Sequence, residues 1–401
     1  MRFVFVVLVF AFMVMVPLSI AAKFTPNCSD LGVLEGSVIA SQIMDFDVTK
    51  NSHGDMVAVY SYSDAGGNES EGMSISFAKM DSGGKWSYEP VQAPLSFSST
   101  TSITFMEDSE GVYWVAYATR QDLGRVGVGE RRNTSIWLHT SRDGGATWSS
   151  PIRVVSYTSL HESNIGIWDL CLVEDDLGGV WLVWNHVYRR QRDTLYTKSD
   201  DRGATWISTR SFGLGKNRYE AFFSDHQGDL HLVYMTSVYL ERGTLGQVVS
   251  LDYDKNVRWS SEPMRLAGIE ELTSEVFFAE LYSEVCHNST KVWIAWMDNW
   301  LKGSGEEWDS GEQDIMVLAS SPDAGLNWEP YGYFTVPNFK TGDQYIAIPQ
   351  SSDDQSGDKL CLLWLSRTGE LLCKSIPDPI PISLAILTFL AGIHLNRTAR
   401  R

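Results

Sequence analysis

Apolar and polar residues alternate in short runs along most of the chain, and the runs recur. Six segments share one pattern, a turn followed by an alternating apolar strand that ends in an aromatic residue. They are "GDMVAVY" ending at Tyr60, "GVYWVAY" at Tyr117, "GGVWLVW" at Trp184, "GDLHLVY" at Tyr234, "TKVWIAW" at Trp296 and "DKLCLLW" at Trp364, between 50 and 68 residues apart. Each follows another apolar strand, such as "EAFFS" or "YIAIPQ". Each precedes a third: "MSISFAK", "SIWLHTS", "TLYTKS", "QVVSLD", "DIMVLAS" and "ELLCKS". Period-2 alternation over about 4–8 residues predicts half-buried strands, and self-similarity at long spacing predicts a repeat architecture. No long segment of helical period lies between Lys23 and Ser375.

Five of the third strands run into a related turn. Three are well formed: Asp143 to Trp148, Asp201 to Trp206 and Asp323 to Trp328. Two are degraded: Asp81 to Trp86 and Asp254 to Trp259. Asp and Trp are always five residues apart, and four of the five turns keep Gly two residues after the Asp, Asn256 being the exception. Gly and Asn tolerate a left-handed backbone, and an Asp carboxylate accepts local backbone N–H groups. The Trp then folds over the sheet as an apolar plug. These aspartates are therefore structural. Strand, strand, strand, turn, strand describes a four-stranded antiparallel blade, and six copies predict an all-β, six-bladed β-propeller. The sixth copy lacks its own fourth strand, which "GVLEGSVIA", Gly32 to Ala40, supplies from ahead of the first blade, closing the ring.

Composition adds compartment and partner class. The chain has 401 residues and a net charge of −18, which argues against nucleic-acid binding, since phosphate contacts need clustered Lys and Arg. Residues 1–22, one Arg and a long apolar run ending in small residues, read as a secretory signal peptide. Asn27, Asn68, Asn133, Asn288 and Asn396 each open an N-x-S/T triplet, as a secreted glycoprotein would. Residues 30–376 hold the repeats, and prolines 377, 379 and 381 mark a linker over 377–381. The end, 382–401, has an apolar run of about 14–16 residues, short of the ~20 that span a bilayer, followed by basic residues. It reads as a marginal membrane anchor, with a processed lipid-anchor signal ranked second. Five Cys exclude a disulfide scaffold, but counting back from the turn in "LCLLWLSRTGELLC" sets Cys361 opposite Cys373, as a cross-strand disulfide or two buried thiols.

The octet S-x-D-x-G-x-T-W is the Asp-box, and over roughly residues 30–376 the chain resembles the sialidase superfamily of Asp-box propellers. That resemblance implies an exo-acting glycosidase with a Tyr nucleophile paired with a Glu, an Asp acid/base, and three arginines gripping the substrate carboxylate. By position it carries over Tyr345 in "DQYIAIPQ" as nucleophile, Glu220 in "NRYEAFF" as its partner, and Asp64 in "SDAGGNESEG", beside Glu69 and Glu71, as acid/base. The arginines do not carry over: "IASQIMDF", Ile39 to Phe46, has none, the second position holds Met235 or Thr236, and the third offers only Lys340.

Other groups gather where the loops joining strands two and three should lie. Ala118 to Asn133 and Asn185 to Asp193 carry seven arginines, 120, 125, 131, 132, 189, 190 and 192. They read as a solvated basic loop paired with neighbouring acids, or as an anion pocket in which Arg120, Arg189 and Arg190 would take part. Arg120 and Arg367 both sit three residues past a strand-two aromatic, where a side chain could reach a central funnel. Trp300 and Trp308, in the acidic loop Met297 to Gln313, either stack a sugar or pack the loop down. No zinc-ligand spacing, phosphate loop or nucleophile elbow is present, so no metal or cofactor is expected. Three functions fit: a glycoside hydrolase acting on glycans or glycoproteins, a non-catalytic glycan- or protein-binding propeller, and a structural or assembly propeller.

Overall fold

The computed structural model describes residues 43–63, 73–81, 86–91, 99–126, 129–160, 165–188, 191–213, 218–224, 230–240, 243–254, 258–259, 283–287, 292–298, 314–321, 329–336, 346–347, 360–365 and 371–376. All regular structure among them is β-strand, in six successive antiparallel sheets. The first contains β1 (Ile43–Lys50), β2 (Met56–Ser63), β3 (Met73–Met80) and β4 (Trp86–Val91). The second contains β5 (Ser99–Glu107), β6 (Tyr113–Val126), β7 (Gly129–Ser141) and β8 (Ile152–Leu160). The third contains β9 (Ile165–Glu174), β10 (Val180–Tyr188), β11 (Gln191–Ser199) and β12 (Arg210–Ser211). The fourth contains β13 (Arg218–Ser224), β14 (Leu230–Leu240), β15 (Gly243–Asp254) and β16 (Arg258–Trp259). The fifth contains β17 (Ser283–His287), β18 (Val292–Asp298), β19 (Asp314–Ser321) and β20 (Glu329–Val336). The sixth contains β21 (Ile346–Ala347), β22 (Leu360–Leu365) and β23 (Leu371–Ile376).

Within every sheet the strands lie in chain order. The six aromatic-ended segments are the six second strands, and the predicted third strands are β3, β7, β11, β15, β19 and β23. First strands meet in sequence: β1 touches β5, β5 touches β9, β9 touches β13, β13 touches β17, β17 touches β21, and β21 touches β1. Gly32 to Ala40, expected to complete the sixth sheet, lies outside the described residues.

The core is a series of wedges between consecutive sheets. Val57, Val59, Ile75 and Phe77 of the first sheet pack on Phe105, Tyr113, Val115 and Tyr117 of the second. The opposite face of β6, Trp114, Ala116 and Ala118, packs with Leu138 on Ile167, Leu172, Leu182 and Trp184 of the third. A strand buried on both faces reads as a continuous apolar run, which is why "VYWVAYA" carries few polar residues. Because the first strands splay too far for a backbone ladder, side chains join them. Ile103 N donates to Asp45 Oδ2 at 2.8 Å, Phe105 N to Asp47 Oδ2 at 2.7 Å, and Leu170 N to Ser102 Oγ at 2.9 Å. At the far end of these strands Ser52 Oγ donates to Glu107 Oε1 at 2.7 Å, and Ser109 Oγ to Glu174 Oε1 at 2.9 Å, hooking each sheet to the next.

The boxes of the second and third sheets are identical in detail. Thr147 N and Ser141 Oγ both donate to Asp143 Oδ1 at 2.8 Å, Thr147 Oγ1 donates to Asp143 Oδ2, and Gly145 N donates to Ser141 Oγ at 2.9 Å. Asp201, Thr205, Ser199 and Gly203 repeat the scheme. The glycines have φ of 92° and 83°, as the turn requires. They also lie against the preceding sheet: a Cβ on Gly145 would overlap the Phe77 ring, and one on Gly203 would come to 2.9 Å from Trp114. Trp148 and Trp206 are half-buried in the same wedges, Trp148 edge-on to Phe77 at 5.5 Å. Asp323 and Trp328 lie outside the described residues.

The cysteine pairing needs correction. In the β22–β23 hairpin Cys361 faces Ser375 and Cys373 faces Leu363. The turn is centred one residue later than a count about Arg367 assumes, which sets the two cysteines diagonally. Diagonal neighbours stand about 7–8 Å apart, beyond the usual Cα spacing of a disulfide.

Candidate functional site at the inner rim

The arginine-rich stretches expected as loops are strands. β6 and β7 continue the ladder past Arg120↔Thr134 to Val126↔Gly129, and β10 and β11 to Tyr188↔Gln191. β8 backs the near part of this extension, pairing as far as Arg131↔Leu160, while Gln121 to Gly124 of β6 are exposed and show no alternation. On it Arg132 Nε donates to Asp122 Oδ1 at 2.9 Å, and Arg120 Nε lies 3.8 Å from the same oxygen. For these two of the seven arginines, that is an ion pair with a neighbouring acid. Arg189, Arg190 and Arg367 lie outside the described residues, as do Asp64, Tyr345, Trp300 and Trp308. Asn133 sits inside β7, its Oδ1 accepting from Ser156 and Thr158 and its Nδ2 donating to Ser135. That commits its amide to a cross-strand network. The other four glycosylation triplets begin outside the described residues.

A different arrangement emerges where the first strands pass the strand-two aromatics. Register shifts interrupt β1 between Ile43 and Asp45, β5 between Thr100 and Ser102, and β13 between Tyr219 and Ala221. On β9 the residues Asp169 and Leu170 stand across from Trp184 alone. Four consecutive first strands thus carry a bulge within about two residues of the strand-two aromatic. Bulges bend a strand and re-aim its side chains, and they concentrate next to active sites. Three have an acid at or beside them: Asp45, Asp169 and Glu220. Glu220 is itself the extra residue of the β13 bulge.

Asp45 is buried and accepts from both Phe46 N and Ile103 N. Asp169 is buried with φ of 57°, a left-handed backbone uncommon for a residue other than glycine. Its Oδ2 accepts from Asn185 Nδ2 at 2.6 Å, and Asn185 Oδ1 accepts from Thr194 Oγ1 at 2.9 Å. Trp168, between Asp169 and Ile167, is half-buried on a strand whose neighbours are buried. Lower down β1, burial pushes the Asp47 carboxyl up to about 6, against the hydrogen bonds from Phe105, Thr104 and Val48. Burial also holds Tyr60 up at about 12 and raises Tyr117, so both phenols are neutral.

Between the second and third sheets Tyr157, His186 and Tyr188 form a stack, with ring centroids 4.3 and 6.5 Å apart. Burial lowers the His186 pKa against the nearby Asp193 carboxylate, which favours a neutral imidazole at pH 7. Sequence reasoning missed Asp45, Trp168, Asp169 and Asn185. The available signal was a lone acid interrupting an apolar run, in "IMDFDV" and "IGIWDLCLV".

No protein-family model matches the chain, and no curated protein sequence does. Solved structures do. One is the α-L-arabinanase of Penicillium chrysogenum complexed with arabinobiose, with a TM-score of 0.57 and 11% identity over 84% of this chain and 93% of that one. Another is the α-L-arabinofuranosidase of Fusarium graminearum complexed with an iminosugar inhibitor, at 0.54 and 11% over 84% and 93%. A third is the NanB sialidase of Streptococcus pneumoniae, at 0.51 and 11% over 86% and 70%. The likeness is one of fold: the chain has the all-β architecture of the propeller glycosidase-like proteins. Within that class the sialidase is one neighbour among several, so the fold does not single out the sialidases.

Proposed function

We propose that the protein is a carbohydrate-active enzyme that hydrolyses a terminal glycosidic bond at the inner rim of a six-bladed ring. The unbroken order of first-strand contacts, with β21 returning to β1, supports the ring. The observation that carries the function is the row of bulges on β1, β5, β9 and β13, three of them bearing an acid. Glycoside hydrolysis needs one group to protonate the leaving oxygen and another to attack the anomeric carbon or activate water. In the sialidase-like version Asp64 gives its proton to the leaving oxygen and Tyr345 attacks, its proton drawn off by Glu220. Water then cleaves the tyrosyl intermediate with Asp64 as base. In the other version, carboxylates of the rim, Glu220 among them, do both jobs.

The test is release of chromophore from a panel of aryl glycosides that includes a sialoside and an α-L-arabinofuranoside. Hydrolysis that Glu220→Gln lowers by about a hundredfold or more, on the usual worth of an acid or base, supports the reading. If Tyr345→Phe leaves turnover intact, the tyrosine version falls. No release by folded protein from any member of the panel favours the second reading, a glycan-binding propeller without catalysis. One observation favours that second reading: the arginine positions of the sialidases are empty, and Arg120 and Arg132 are both engaged with Asp122. On either reading the protein works outside the cell, delivered by residues 1–22 and held at the surface by 382–401. Cell fractionation and glycosidase-sensitive mobility would check this.

A further inference from the structure

The rim of the third sheet carries a feature that hydrolysis alone does not explain. On β1, β5 and β13 the aromatics Phe46, Phe105 and Phe222 are buried. Trp168 is half-buried, although the residues on both sides of it are buried. Its ring lies against Gly166, where a Cβ would overlap the six-membered ring. Its strand partner, Asn185, is tied by Nδ2 to Asp169 and by Oδ1 to Thr194. Asp169 holds a left-handed backbone that sets the turn of the chain directly after the tryptophan. A bare glycine beneath the ring and a strained, hydrogen-bonded corner beside it fix an indole that is only partly covered. Strain of that kind persists where the surroundings over-determine it, as at ligand clamps.

We infer that Trp168 is a stacking platform for a neutral sugar ring, bordered by the Asp169–Asn185–Thr194 chain, in the site of the proposed function. Partly covered indole offers a flat apolar face to ring C–H groups, and the buried Asp169–Asn185–Thr194 chain beside it holds that face in place. The charge argues against a carboxylated sugar. Asp45 and Asp169 both lie at the rim, and the chain is at −18 overall. Arg120 and Arg132 share the one Asp122 carboxylate.

Calorimetric titration of the full chain with arabinobiose, xylobiose, lactose and 3′-sialyllactose, beside hydrolysis of the aryl glycosides, tests this. Binding of at least one neutral sugar is expected, with sialyllactose weaker. Trp168→Ala should weaken the neutral sugar by about tenfold or more, while Trp168→Phe, which keeps a ring, stays within a few-fold. Gly166→Ala, which displaces the indole, should weaken it too, with the melting curve confirming that each variant folds. Tighter binding of sialyllactose, or an unchanged affinity and KM in folded Trp168→Ala, overturns the platform and leaves the hydrolase standing if glycosides are still cleaved. Absence of both binding and cleavage in the wild-type protein overturns both.

Discussion

The two ends of the sheets are built on opposite principles. At the box end the second and third sheets repeat one hydrogen-bond scheme, Asp143 with Ser141 and Thr147, Asp201 with Ser199 and Thr205. At the rim end the sheets diverge: the first and second share a bulge position, at Met44 and Thr101, but the third bulges at Asp169 with Leu170 and the fourth at Glu220, each at a different register. Repetition serves a structural need that is the same in every sheet. Variation at one end of the fold is what a site assembled from several sheets requires, because each sheet contributes a different group.

The comparison can be broken by substitution. At the box end Trp206→Ala should cost the most, about 3 kcal/mol of stability, on the scale of large-to-small changes at buried aromatics. It should leave sugar affinity untouched in a folded sample. Unchanged melting would remove the tryptophan from the wedge. Asp201→Ala should lower the melting temperature by less, because Thr205 N and Ser199 lose their acceptor at an exposed turn. At the rim, Asp169→Ala and Asp169→Gly form a pair. Both lose the acceptor for Asn185, but glycine accepts the left-handed backbone, so the Gly variant should unfold about 1 kcal/mol later than the Ala variant. Equal stabilities would mean that the φ of 57° is not strained.

The smallest effect sharpens the comparison by pH. Thr147 and Ser141 hold the Asp143 carboxyl down at about 2, and Thr205 and Ser199 lower Asp201 likewise. Their contribution is present above the ordinary carboxylate range and is lost as pH falls from about 4 to 2. Asp47 acts the other way. Its carboxyl is raised to about 6, so the folded state binds the proton more tightly, and stability from this group rises as pH falls from about 6 to 4. Asp47→Asn should therefore flatten the melting profile between pH 4 and 6, and Asp143→Asn below pH 4. Profiles parallel to the wild type in those windows would refute the assignment.

Much of this architecture was legible in the chain. Second strands were found by their aromatic ends because burial on both faces leaves a nearly pure apolar run, as in β6 and β10. The boxes were found because Ser, Asp, Gly and Thr satisfy one another within eight residues, a local problem with a local solution. The extensions of β6 and β7 were missed because Gln121 to Gly124 are all exposed, which leaves no alternation to read there. The cysteine register was misjudged by one turn residue, since a hairpin count has no anchor when the turn type is unknown.

Sequence alone determined the strands, their grouping into repeated units and the chemistry of each box, because these follow from periodicity and from contacts between near neighbours. Tertiary structure decided what the glycines Gly145, Gly203 and Gly166 are for, since the rings they make room for, other than Trp168, belong to other sheets. It also decided the rim. A bulge shifts the register of one strand against another, and the meeting of Asp45, Asp169 and Glu220 at one rim depends on how first strands from separate repeats pack together. No window of sequence contains that information, because Asp45, Asp169 and Glu220 are separated by 124 and 51 positions in the chain.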